Sequence, residues 1–134
     1  MLLGYTKGFM LDEKNFYWST NVHKEVERLG LTDENLRDLE NVLLKNPKAG
    51  DTIQGTGGLR KIHIPLEHTG KRGGGRVFYV NIELKETIYF VNVYAKNEKD
   101  DLTEDEKKAF KAVIKILKGE WLWANSLMKQ CKVY

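Results

Sequence analysis

The chain has 134 residues, 41% of them hydrophobic, a formal net charge of +3 and a single cysteine. That length leads us to expect one domain over residues 1–134 with a real core, too short for two. Cys131 excludes an internal disulfide, no Cys/His cluster has zinc-ligand spacing, and no eighteen-residue apolar run or signal-type N-terminus is present, so no membrane contact and a reducing, cytoplasmic setting are expected.

Residues 1–13 precede the first recognisable element and are read as an extension. Asn15 to Ser19 is short, aromatic and strand-like, and Ser19, Thr20 or Asn21 can cap a helix running to about Leu29, which Gly30 ends. Thr32 or Asp33 caps a second helix, in which Leu36, Leu39, Val42 and Leu43 form an apolar face. Asn46-Pro47-Lys48-Ala49-Gly50-Asp51 breaks it. Three strands follow, Leu59 to Ile64, Arg76 to Glu83 and Thr87 to Ala95, and the short link Leu84-Lys85-Glu86 makes the last two an antiparallel hairpin. Thr103-Glu104-Asp105-Glu106 has the form of a capping box and opens a helix to about Lys118, with Phe110, Val113, Ile114 and Leu117 facing inward. Residues 119–134, with Trp121, Trp123, Leu127 and Met128, are too apolar for a free tail and are expected to dock on the domain or on a partner.

Charge is distributed unevenly. Between Gly58 and Arg76 stand Arg60, Lys61, Lys71, Arg72 and Arg76 against Glu67 alone, whereas Asn97 to Glu106 is strongly acidic. A basic block interleaved with glycines suits a polyanionic partner. Side-chain alternation places Ile62 and Ile64 on one face of their strand, with Lys61 and His63 on the other. In the last strand Val91, Val93 and Ala95 are expected on one side, with Asn92, Tyr94 and Lys96 opposite. If helices cover the aliphatic side, the other presents Lys61, His63, Asn92, Tyr94 and Lys96 together, and Arg76 can reach them from the start of its strand.

At this point the chain resembles the HigB branch of the RelE/ParE toxin superfamily. The residues that carry the resemblance are Asn46 to Ile62, Gly70-Lys71-Arg72-Gly73-Gly74, Arg76-Val77-Phe78-Tyr79, Val93-Tyr94-Ala95-Lys96-Asn97-Glu98 and Asp101-Leu102-Thr103, within a recognisable core of about residues 16–117. The resemblance implies an α+β, RelE-like fold: a curved antiparallel sheet with two N-terminal helices and a C-terminal helix. It also implies a bacterial cytoplasmic toxin that cuts mRNA on the ribosome against the 16S ribosomal RNA surface. Its implied partner is a HigA-like helix-turn-helix antitoxin, whose complex with the toxin would bind operator DNA. Two departures stand out: relatives commonly carry Arg or Lys where His63 stands, and the RelE type has a second Arg where this chain has Asn97.

RNA cleaves itself when a 2'-OH attacks the adjacent phosphorus, so a protein need only align the groups, move two protons and stabilise the added charge. No metal or other cofactor is required. Arg76, whose planar fork matches two phosphate oxygens, is the expected stabiliser of the phosphorane. Lys61 and His63 are expected to handle protons and local charge, Lys96 and Tyr94 to assist from the neighbouring strand, and Arg60, Lys71 and Arg72 to grip flanking phosphates or ribosomal RNA. Two alternatives use the same scaffold: a ParE-like gyrase inhibitor, and an RNA-binding member without activity.

Overall fold

The computed structural model describes residues 4–7, 14–66, 74–99 and 101–131. The elements are β1 (Gly4–Lys7), β2 (Asn15–Trp18), α1 (Thr20–Arg28), α2 (Asp33–Lys45), β3 (Asp51–Thr52), β4 (Leu59–Ile64), β5 (Gly75–Ile82), β6 (Thr87–Ala95) and α3 (Glu104–Cys131). The fold is α+β, with a six-stranded sheet in the order β1-β2-β6-β5-β4-β3.

Each helix begins where a side chain satisfies its first backbone donors. Ser19 Oγ accepts from Val22 N at 3.3 Å. Thr32 and Asn35 exchange bonds in a capping box, as do Thr103 and Glu106. Helix α1 stops in a Schellman arrangement: Gly30, at φ 75°, bonds Glu27 O, and Leu31 N bonds Val26 O.

The sheet is antiparallel except where β2 lies parallel to β6. Strand β2 starts beside the turn that starts β6, with Asn15 N donating to Glu86 O at 2.8 Å, and so runs in the same direction. The expected antiparallel sheet thus holds for every other pairing, and β2–β6 is its one parallel step among the described strands. The N-terminal extension contributes β1, paired with β2, and β3 supplies a short pairing with β4 that the sequence did not signal.

Both faces of the sheet are covered, which also differs from expectation. On one face Leu36, Leu39 and Leu43 of α2 and Val22 and Val26 of α1 pack with Ile64, Val77, Tyr79, Phe90 and Val93. Trp18 stacks on Phe90 with ring centroids 3.7 Å apart and donates Nε1 to Glu40, so it is a core residue. The other face buries Leu59, Phe78, Val80, Ile82 and Tyr94 with Leu102 and Ile114, and the half-buried Phe110 and Leu117 of α3 pack against them. Phe110 and Ile114 therefore cover the face opposite to that of Leu36, Leu39 and Leu43. The cause is β5, whose Val77 and Tyr79 need cover on one side and whose Phe78 and Val80 need it on the other.

A bulge in β6 breaks the expected alternation. Phe78 pairs with Asn92 while Tyr79 pairs with Phe90, which leaves Val91 as an extra residue. The phase reverses there, so Phe90 and Val93 both face α1 and α2, whereas Tyr89, Val91 and Tyr94 face the α3 side. Val91 does not share a face with Val93. Helix α3 continues to Cys131 rather than ending near Lys118, and the docking expected of the apolar tail, Trp121 to Tyr134, lies outside the described side chains.

Candidate functional site

The register of three strands sets one row of side chains on the α3-bearing face. His63 of β4 pairs with Arg76 of β5, and Arg76 pairs with Tyr94 of β6. Directly paired residues hold their Cβ atoms about 4.5–5.5 Å apart, so the imidazole, guanidinium and phenol are neighbours. In the next row Lys61 pairs with Phe78, and Phe78 with Asn92. The Phe78 and Tyr94 rings meet at 5.2 Å, which gives the polar row an apolar floor.

Arg76 is only 6% exposed, with Nη1 donating to Gly75 O at 3.3 Å. No carboxylate among the described residues lies within ion-pair distance of it. A buried cation whose charge is not cancelled nearby is expensive unless something anionic is meant to meet it. Lys96 follows β6 and is exposed, its backbone N bonded to Gly74 O at 3.0 Å, which extends the ladder past Ala95. Gly74, opposite, is held to glycine: its φ is +86°, and a Cβ there would lie 2.9 Å from Ile64 O.

His63 is the exposed member of the row. Its pKa lies below the ordinary histidine value, first because partial burial against the sheet disfavours the charged ring, then because Arg76, Lys61 and Lys96 repel a proton, with Asp51 opposing weakly. These influences favour the neutral ring, the form that can accept a proton. Arg76 is the direct cross-strand partner of His63, and Lys61 lies two residues earlier on the same face of β4. Lys61 Nζ also stands 3.9 Å from Asp101 Oδ1, a loose contact that a stronger anion can replace.

Beside His63, between α2 and the outer side of β4, lies a shallow groove of about 220 Å³ floored by Leu39, Val42 and Ile62. It offers a flat ring an apolar surface next to the polar row.

The segment after β6 is tied down from two sides. Arg28 of α1 forms a two-pronged bond to Glu98, both contacts at 2.8 Å, which raises the guanidinium's pKa and lowers that of the carboxyl. Lys99 pairs with Glu106 and lies 5.7 Å from the centre of the Tyr94 ring. The sequence reading missed Lys99, because its approach to Tyr94 depends on the turn in which Glu98 N and Lys99 N both bond Ala95 O.

Not every expected residue joins the site. Arg60 points to the α1/α2 side, where its Nη1 donates to Gly50 O at 2.8 Å and holds the turn after α2. Tyr79 supports the same turn, its hydroxyl donating to Pro47 O and accepting from Gly50 N. Lys71 and Arg72 lie outside the described residues. The glycines of Gly55-Thr56-Gly57-Gly58 make no phosphate cradle beside the row. They form a turn at the far end of β4, with buried Thr56 bonding Ile53 O and Leu59 N and with Lys118 of α3 donating to Gly57 O at 2.8 Å.

A family described as "RelE toxin of RelE / RelB toxin-antitoxin system" matches residues 16–129 of the chain. Among solved structures, the chain is similar to E. coli toxin RelE, a double arginine-to-alanine mutant in the free state, at 17% identity and a TM-score of 0.47. That match covers 63% of this chain and 85% of the other.

Proposed function

Given that the chain belongs to the RelE toxin family of toxin-antitoxin systems, we propose that it is a HigB-type, ribosome-dependent endoribonuclease acting on mRNA in the bacterial cytoplasm. The observation that carries this reading is the row His63, Arg76, Tyr94 with Lys61 and Lys96 around it: one neutral base among cations, on a face otherwise apolar.

In the proposed reaction His63 takes the proton from a ribose 2'-OH, and the 2'-oxygen attacks the adjacent phosphorus. Arg76 spans two non-bridging oxygens, and Lys61 and Lys96 meet the charge that grows as the phosphorane forms. The P–O5' bond then breaks, and the leaving oxygen receives a proton from Tyr94 or Lys96. The products are a 2',3'-cyclic phosphate and a 5'-hydroxyl, so atoms and charge balance with proton transfer alone. The groove beside His63 would take a base flanking the scissile phosphate.

The partner that follows is a HigA-like helix-turn-helix antitoxin, which inhibits either by covering the cleft around Lys61, Arg76 and Lys96 or by bulk that bars the ribosome, and whose complex with the toxin would bind operator DNA. Mapping mRNA 5' ends after brief expression tests the reading. New 5'-hydroxyl ends inside translated regions are expected for the wild type and not for Arg76→Ala. Arrest of replication without such ends would favour gyrase inhibition instead.

A further inference from the structure

Helix α3 carries a second basic surface that the site does not use. At 100° per residue, Lys107, Lys108, Lys111, Lys115 and Lys118 fall within about 100° of arc, and Lys108 to Lys118 spans about 15 Å of helix. The stripe lies beside the buried edge of α3: Ile114 packs into the sheet, while Lys111 Cγ and Lys118 Nζ sit against the β3–β4 turn at Gly57 and Gly58. Lys107 is paired with Glu104. Lys108, Lys111 and Lys115 are exposed, and no carboxylate among the described residues lies within ion-pair distance of them. Helices carrying lysines for solubility usually intersperse them with acids at i, i+4. Here three acidic residues stand in the first turn, and from Lys107 to Lys118 the helix carries lysines and no carboxylate.

We propose that this stripe is a docking surface for the phosphate backbone of structured RNA, separate from the residues that act on the scissile phosphate. The proposal rests on the ribonuclease reading of the site, because α3 crosses the same sheet face that bears His63 and Arg76, so a polyanion engaged along the helix is delivered to that face. Compact, strongly hydrated ammonium groups on flexible stems suit a sequence-independent grip. A rigid line of about 15 Å can face several successive phosphates of one strand.

The test is binding of the full-length protein to a labelled RNA hairpin and to purified ribosomes across a salt series, comparing wild type with Lys108→Gln/Lys111→Gln/Lys115→Gln. Lys118 is kept because it holds Gly57. Each lost phosphate contact lowers the slope of log K against log salt by a little under one, so a decrease of about 2 to 3 is expected on both probes. The single-turnover cleavage rate at saturating ribosomes is expected to be unchanged. An unchanged slope would overturn the proposal, and loss of antitoxin binding with RNA binding intact would overturn it by assigning the stripe to a protein partner. Because binding is read without cleavage, an inactive wild type that still shows the slope change would refute the nuclease reading and leave the docking surface standing.

Discussion

The pH dependence of cleavage follows from the position of His63. If its neutral ring takes the 2'-OH proton, log kcat/KM rises with unit slope at acid pH and levels where the ring is deprotonated. A histidine at the ordinary pKa of about 6.5 is about 76% neutral at pH 7 and about 9% at pH 5.5, a drop of about eightfold. Burial against the sheet and the charges of Arg76, Lys61 and Lys96 put His63 below that value, so the wild type is expected to lose less than eightfold over this range. Lys96→Met removes one of the three repelling charges from an exposed position, and the drop should grow toward the eightfold limit. His63→Gln should lower the plateau by about 10²–10⁴, the usual contribution of a positioned base, and abolish this limb. The assay is single-turnover cleavage of a programmed ribosome at constant ionic strength. A wild-type limb centred at or above 6.5, or one that persists unaltered in His63→Gln, would refute the reasoning.

Gly74→Ala should lower stability by about 1–3 kcal/mol, from a left-handed backbone and a Cβ driven against Ile64 O. Thermal unfolding should register that as a fall in Tm of roughly 4–12 °C. Ile114→Ala, which empties a fully buried position between α3 and the sheet, should cost about 2–5 kcal/mol in denaturant unfolding. Glu98 and Glu106 have pKa values lowered by Arg28 and Lys99, so they bind fewer protons folded than unfolded. Their contribution is complete above pH 4.5 and is lost as pH falls through the lowered folded values. Glu98→Gln/Glu106→Gln should flatten the acid limb of the stability curve, and an unchanged limb would show that other carboxylates set it.

Period-two alternation was enough to put Lys61 and His63 on one face and to group them with Tyr94, because β4 and the end of β6 are regular on either side of the bulge. What alternation cannot supply is register. His63, Arg76 and Tyr94 fall in one row because β4, β5 and β6 pair in that register, which period two alone does not set. The bulge at Val91 has no signature in a run of β-branched and aromatic residues, so Val91 was placed with Val93. The side taken by α3 was likewise hidden: β5 is apolar at nearly every position, and a strand of that kind says that both faces are covered without saying by which helix. Arg60 was read as part of a basic run, although its neighbour Lys61 already occupied the opposite face. The lysines of α3 escaped attention for another reason: they already lie within the expected helix, but they read as its solvated side until the structure shows which edge of α3 packs on the sheet.

Arg76 bears the central claim, and single-turnover cleavage of ribosome-bound mRNA by Arg76→Ala at saturating protein tests it most directly, with thermal unfolding run beside it to verify the fold. Loss of one preorganised donor to developing charge predicts a rate about 10²–10³ below wild type, or about 2.7–4 kcal/mol of transition-state stabilisation. A folded Arg76→Ala protein that cleaves at the wild-type rate would contradict the account.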